Sequence, residues 1–407
     1  MFRSHWEEAE DLTARLRIDD VDVHSGALRS GDDIASESGL ASGLHRFEVV
    51  AQDDHGNVSL ERMAFTVFDP ADRHPWPIPE ATEPQTIGHL AHNFQHYGGR
   101  PYFHPGVDIR TPAESPVHSA VAGRVTELRY YGARPLYFEV AIQDDRGFLW
   151  EYHHIAEDSV PDAVREAFEK GQRVPAGTYL GSVIRWRVHA YGDRYDHLHL
   201  NVLDPWKNYL NPLRFLIAPS DDVPPRVAGL YFCPNEGERA FEVVRGTPVV
   251  SGDVDLVLEA EDLFGGAPFQ LGVHEIRYQL VRVDARGKVP MGEPVLFCRF
   301  DSLPGGFDRH DGINSVFKRR LQVEDELLET EGNYSRRRFL YVLTHAPAGL
   351  VADKDSYWDT DGFRPDGEPL YPNGRYEVAV LAKDIFGNET RREFPVIVKN
   401  GSDAQSK

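Results

Sequence analysis

Histidine and aspartate gather at three separated places in the middle of this 407-residue chain. The first is FHPGVDI, with His104 and Asp108 four residues apart. The second is WEYHHIA, with His153 beside His154. The third is DHLHLNV, where His197 and His199 alternate with Leu198 and Leu200. Imidazole nitrogens together with a carboxylate suit zinc. A catalytic zinc keeps three protein ligands and one position for water. His104, Asp108, His197, His199 and one of the His153–His154 pair supply five groups. Three can ligate an ion, which leaves two histidines for acid–base or charge-stabilising work on a metal-activated water.

The elements that carry these groups follow from local composition. Pro105 and Gly106 argue against a helix between His104 and Asp108 and fit a turn running into a strand. Alternate residues of a strand share a face, so His197 and His199 point one way while Leu198 and Leu200 enter a core. The same rule puts Trp150, Tyr152 and His154 on one face and His153 on the other. Only one of the two adjacent histidines is then expected to face a shared site. Across the chain, 35 Gly and 28 Pro break the sequence into short runs in which Val, Ile, Tyr and Phe alternate with polar residues. That pattern is mainly β.

The ordered series HPGVD, YHH, HLH resembles the lysostaphin-like (LytM) zinc endopeptidases, which cut peptidoglycan peptides and carry His-x-x-x-Asp, Tyr-x-His and His-x-His in that order. DIRTPAESPVHSAVAGRV and GQRVPAGTYLGSV are similar to that family's intervening segments, so the resemblance covers about 130 residues. It implies that His104, Asp108 and His199 bind one zinc ion per chain and that His154 and His197 form the catalytic pair. The implied activity is endopeptidase cleavage of peptidoglycan stems or cross-bridges. A non-catalytic wall-binding or hydrolase-activating protein, and a zinc peptidase for secreted proteins or peptides, are the other readings. VIRWRVHAYGDRYD, with Asp196 directly before His197, departs from the Gly-rich loop usual in the family and bears on substrate preference more than on catalysis.

The length implies several domains. The expected division is a partial immunoglobulin-like β module at 1–68, a Pro- and charge-rich linker at 69–86, and the metallopeptidase domain at 87–218. A second linker at 219–226, an immunoglobulin-like β-sandwich region at 227–400 (one elaborated or two small) and a frayed tail at 401–407 complete it. The flanking assignments come from an internal resemblance. Phe47, Val49, Ala51, Asp53 and Gly56-Asn57 align with Val378, Val380, Ala382, Asp384 and Gly387-Asn388, each set reading as a hairpin. Ala260 and Asp262 echo the same positions.

The formal net charge of −21 comes without a basic stripe, which excludes a nucleic-acid partner. No stretch is apolar enough to span a membrane. The reading is extracytoplasmic, although the first residues carry no signal-peptide core. Cys233 and Cys298 read as one disulfide or as two buried thiols. His89, His92 and His96 show helical metal-pair spacing, for which a solvated helix or loop is the expectation. His118 and His189 stand alone. Residues 353–367, rich in Asp, read as an acidic surface turn and not a twelve-residue calcium loop.

Overall fold

The computed structural model describes residues 2–3, 12–19, 21–28, 33–34, 43–52, 58–67, 72–80, 82, 85–97, 100–187, 189–190, 193–266, 269–303, 312–333, 337–345 and 354–401. The chain divides into two compact units, Met1–His74 and Pro75–Lys407. Both are built mainly from antiparallel sheet, and the only α-helix among the described residues is Asp162–Glu169.

The first unit holds a four-stranded sheet in the order Val21–Leu28, Leu12–Ile18, Gly43–Gln52, Val58–Val67. The last two strands pair over ten residues, as the hairpin pattern requires. Its counterpart, Gly374–Lys383 with Glu389–Val398, pairs over ten residues as well. Asp53 and the Gly56-Asn57 turn lie outside the described residues, as does all of the tail after Gly401. Among the described residues, the strand of the third echo pairs with no strand that directly follows it. That strand, Asp253–Glu261, pairs with Arg226–Pro234 and Leu340–Val342.

In the second unit the central sheet runs Arg173–Val174, Gly123–Tyr130, Phe138–Asp144, Leu149–His153, His197–Leu203, Val107–Arg110, Thr86–His89. Every neighbouring pair is antiparallel. One face is apolar by strict alternation: Val140, Ile142, Trp150, Tyr152, Leu198, Leu200, Val202, Val107 and Ile109 are all fully buried. The other face carries the polar residues at the intervening positions.

Residues 226–400 include two larger sheets. One contains Arg226–Pro234, Asp253–Glu261 and Leu340–Val342; the other contains Glu389–Val398, Gly374–Lys383 and Glu275–Asp284. Leu256, Leu258 and Ala260 from the first sheet share a core with Ile276, Val378 and Val380 from the second. Phe94 and Phe103, just before the His104 turn, belong to that same core. Ser302–Leu303 also adds to the central sheet by pairing with Tyr209–Leu210. The central sheet and the sandwich are thus fused through shared side chains and shared strands.

This fusion has a measurable consequence. Phe103→Ala should lower stability by about 3–5 kcal/mol, the usual cost of deleting a buried ring. In urea denaturation the Pro75–Lys407 unit should lose its near-ultraviolet signals in one shifted transition. Loss of the sandwich signals alone would show that the two parts do not share a core.

Candidate functional site

The strand register brings three of the sequence motifs to one place. Asp108 stands opposite His199 and Arg110 opposite His197. On the other side, His153 pairs with His199 and Glu151 with Asn201. Glu139 continues the row opposite His153. His104 arrives from the turn before Val107–Arg110, fixed by its backbone N–H donating to Asn93 O and its carbonyl accepting from His92 N. Gly106 makes this approach sterically feasible, because a Cβ there would overlap the Leu200 carbonyl.

His104 Nε2, Asp108 Oδ1 and His199 Nδ1 form a triangle with edges of 3.0, 3.2 and 2.8 Å. The outward partners set the protonation of the rings. His104 Nδ1 faces Leu90 O at 3.1 Å, and His199 Nε2 faces Asn201 Oδ1 at 2.8 Å. Both partners only accept, so these nitrogens carry the hydrogens and the facing Nε2 and Nδ1 are bare. The Asn201 amide is oriented by donating to Glu151. Tyr195 donates its hydroxyl to Asp108 Oδ2 at 3.0 Å, leaving Oδ1 to the triangle. Two lone pairs and a carboxylate oxygen converging in a buried place repel one another unless a cation lies between them. Metal–ligand bonds of about 2.0–2.2 Å at a tetrahedral angle would separate the donors by about 3.3–3.6 Å, somewhat more than these edges. The donor set fits one metal ion.

His197 lies beside the triangle, its Nε2 3.7 Å from Asp108 Oδ1 and its Nδ1 donating to Tyr195 O at 2.7 Å. His154 sits 4.7 Å from His197 between ring centroids, its Nδ1 donating to Leu136 O at 2.8 Å. Burial lowers the pKa of both rings, His154 well below the ordinary value, and the neighbouring histidines push His154 down further. Both are neutral at pH 7, each with a bare Nε2. Trp186 packs against both rings, at 4.4 Å from His154 and 5.0 Å from His197. Asp196 accepts from the backbone N–H of Trp186, so the unusual segment before His197 serves to seat an indole on His154 and His197.

The alternation expected for His153 and His154 fails. The strand ends at His153, and His154 has φ of 65°, a left-handed turn that swings its ring back to the polar side. Trp150 and Tyr152 stay in the apolar core, whereas His153 and His154 both line the cleft. The cleft has a volume of about 430 Å³ and also reaches Tyr102, Tyr131, Tyr137 and Glu139.

The other histidines divide clearly. His89 and His92 are neither helical nor solvated, contrary to expectation. His89 ends a central-sheet strand in register with Asp108, and both residues are fully buried. The His89 ring stacks on His104 at 4.6 Å, and burial pushes the pKa of His92 down to about 3. His96 is on the separate strand Phe94–Tyr97, beside Glu331. His118 and His189 stand outside the site. Cys233 and Cys298 are free thiols, so the disulfide reading is set aside. In the acidic segment, Asp359 and Asp361 cluster with Asp253 near the surface; residue 353 lies outside the described residues.

Sequence reading missed Tyr195, Trp186, Glu151 and Asn201. Glu151 and Asn201 are two positions from His153 and His199, so alternation alone marks them for the same face. No comparable signal marks Trp186.

Residues 102–212 match the profile of Peptidase family M23. No curated protein matches the chain. Among solved structures, one from Pseudomonas aeruginosa named for peptidase M23 is 18% identical, with 51% of this chain and 89% of that chain covered and a TM-score of 0.24. A zinc containing peptidase from Vibrio cholerae is 20% identical, over 40% of this chain and 54% of that one, at a TM-score of 0.26. A structure from Ruminococcus gnavus named for a glycyl-glycine endopeptidase LytM is 24% identical, over 36% and 59%, at 0.24.

Two outcomes are expected from this site. Tyr195→Phe removes the hydroxyl that orients Asp108 and should weaken metal affinity about 10–100-fold in chelator competition, with the fold retained; unchanged affinity would show that Tyr195 does not act on the ligand. His92 is neutral when folded but takes up a proton near pH 6.5 when unfolded. Its contribution to stability is therefore complete above about pH 6.5 and declines as pH falls toward 3, by the linkage of proton uptake to unfolding. Denaturant titrations of wild type and His92→Gln should show a shallower acid decline in the variant.

Proposed function

We propose that the M23 domain within residues 102–212 is a zinc-dependent endopeptidase acting on peptidoglycan stem or cross-bridge peptides. The observation that carries this reading is the buried triangle of two bare imidazole nitrogens and one carboxylate oxygen, with two neutral histidines beside it in an open cleft. His104, Asp108 and His199 would hold the ion. Zinc held there would supply a Lewis acid that acidifies water and polarises an amide carbonyl.

The remaining work falls to residues of this chain. His154 and His197 are both neutral and both anchored through Nδ1 to a backbone carbonyl, so each presents Nε2 as a base. One takes the proton of the attacking water. The protonated ring then becomes a donor, able to stabilise the carbonyl oxygen as charge develops or to return the proton to the leaving amine. Trp186 screens the pair from one side and holds the rings in place. Tyr102, Gln95 and Tyr209 line the cleft alongside the ligands and give an extended peptide polar and aromatic contacts. A wall substrate implies an extracytoplasmic location; no helix among the described residues is long and apolar enough to cross a membrane.

Zinc content and the release of soluble fragments from purified peptidoglycan, measured together, test this reading. Wild type should carry about one zinc per chain and release fragments. His199→Ala should lose both. His154→Ala and His197→Ala should keep zinc and lose cleavage by roughly 10²–10⁴-fold, the usual worth of an acid–base group. Zinc retained without cleavage in the wild type would instead favour a wall-binding role, and cleavage of unrelated peptides alone would move the substrate away from the wall.

A further inference from the structure

Three aspartates meet where the 219–226 segment joins the sandwich, away from the cleft. Asp262 follows the strand Asp253–Glu261, Asp384 follows Gly374–Lys383, and Asp221 lies on the connecting segment. One carboxylate oxygen of each lies within 4.8 Å of the others. Asp262 and Asp384 are each only 3% exposed. Arg226, five residues after Asp221, and Lys383, adjoining Asp384, are engaged elsewhere, with Glu261 and Glu389 respectively.

Hydrogen bonds satisfy part of this group. Asp384 accepts from the backbone N–H groups of Phe386 and Asn388 and from the Asn388 amide. Asp221 Oδ1 accepts from Val223 N and Gly265 N. Asp262 Oδ1 and Asp221 Oδ2 are buried with no hydrogen-bond partner among the described residues. A buried carboxylate oxygen without a donor is costly, and two more carboxylates beside it raise the cost. Burial and the charge of Asp384 push the Asp262 pKa up to about 8, and burial raises Asp384 as well. Either a proton or a cation must relieve the crowding. A single proton would still leave two negative charges in a largely buried place, whereas a divalent ion neutralises the group more fully.

We propose that Asp221, Asp262 and Asp384 bind a calcium ion that fastens the connecting segment to the ends of two sandwich strands. The donors are all oxygen, which suits a hard cation and not zinc. Three carboxylates leave room for the backbone oxygens and waters that complete calcium's coordination of six to eight. The segment is already drawn toward this point. Asn388 donates its amide to Asp221 O and Thr390 its hydroxyl to Pro225 O, so the ion would lock a contact that exists without it. Asp262 also closes the neck of the following loop through reciprocal backbone hydrogen bonds with Leu271, both 2.8 Å. Calcium would therefore hold three chain segments at one point. This site is independent of the zinc reading, because it shares no residue with the cleft.

The test is calcium titration of the full zinc-loaded chain by calorimetry, with melting temperature followed in parallel. Wild type should bind one further ion saturably, with affinity of roughly 10⁻⁴–10⁻³ M or tighter, and melt at higher temperature as calcium is added. Asp262→Asn and Asp384→Asn should each weaken binding about tenfold or more while zinc content stays unchanged. Both replacements keep side-chain volume, and the folded state of each is checked by its own melting transition. Absence of saturable binding up to about 10 mM calcium in the wild type would overturn the proposal. So would equal binding by wild type and both variants, which would place the ion elsewhere. A higher melting temperature in Asp262→Asn with no calcium response in the wild type would show that the trio is held by a shared proton.

Discussion

The second unit is organised around three donor atoms that repel one another. His104 Nε2, Asp108 Oδ1 and His199 Nδ1 lie about 3 Å apart, with their hydrogens directed outward to Leu90 O and Asn201 Oδ1. Such an arrangement persists only if the framework fixes each donor from behind and a cation stands in front. The framework does so with strands. Asp108 and His199 are direct neighbours across two antiparallel strands, and Leu198, Leu200, Val107 and Ile109 clamp those strands from the opposite face. The apolar alternation that builds the core therefore also sets the geometry of the polar face.

Support extends beyond the peptidase segment. Arg337, on the sandwich side, is buried and donates to Gly88 O and Gln270 O. Phe269 packs on Tyr195 at 5.9 Å, and Tyr195 orients Asp108. Phe94 and Phe103, paired across the hairpin that leads into the turn of His104, bury their rings in the sandwich core. The sandwich thus holds the approach to His104 and backs the residue that orients Asp108. Its role in this chain is at least that of a scaffold for the site.

Much of this was legible from the residues. Period-two alternation placed His197 and His199 together because Leu198 and Leu200 need the core, and Pro105-Gly106 marked the turn correctly. The rule failed at His154 because alternation assumes extended backbone, and φ of 65° at that residue violates the assumption and brings two adjacent histidines into one cleft. His89 and His92 were misread because polarity suggested solvent, while strand pairing with Asp108 and the His104 backbone buried them. The fusion of sheet and sandwich had no local signal. The segment APSDDVPPR has a linker's composition, and only the long-range contacts of Asp221 and Pro225 reveal that it is held down.

Anomalous diffraction at the zinc absorption edge tests most directly which atoms would surround the metal. One strong peak per chain is expected within the triangle of His104 Nε2, Asp108 Oδ1 and His199 Nδ1, at about 2.0–2.2 Å from each. A peak ligated instead through Glu139, Glu151 and His153, or no peak in crystals grown with zinc, would contradict that expectation.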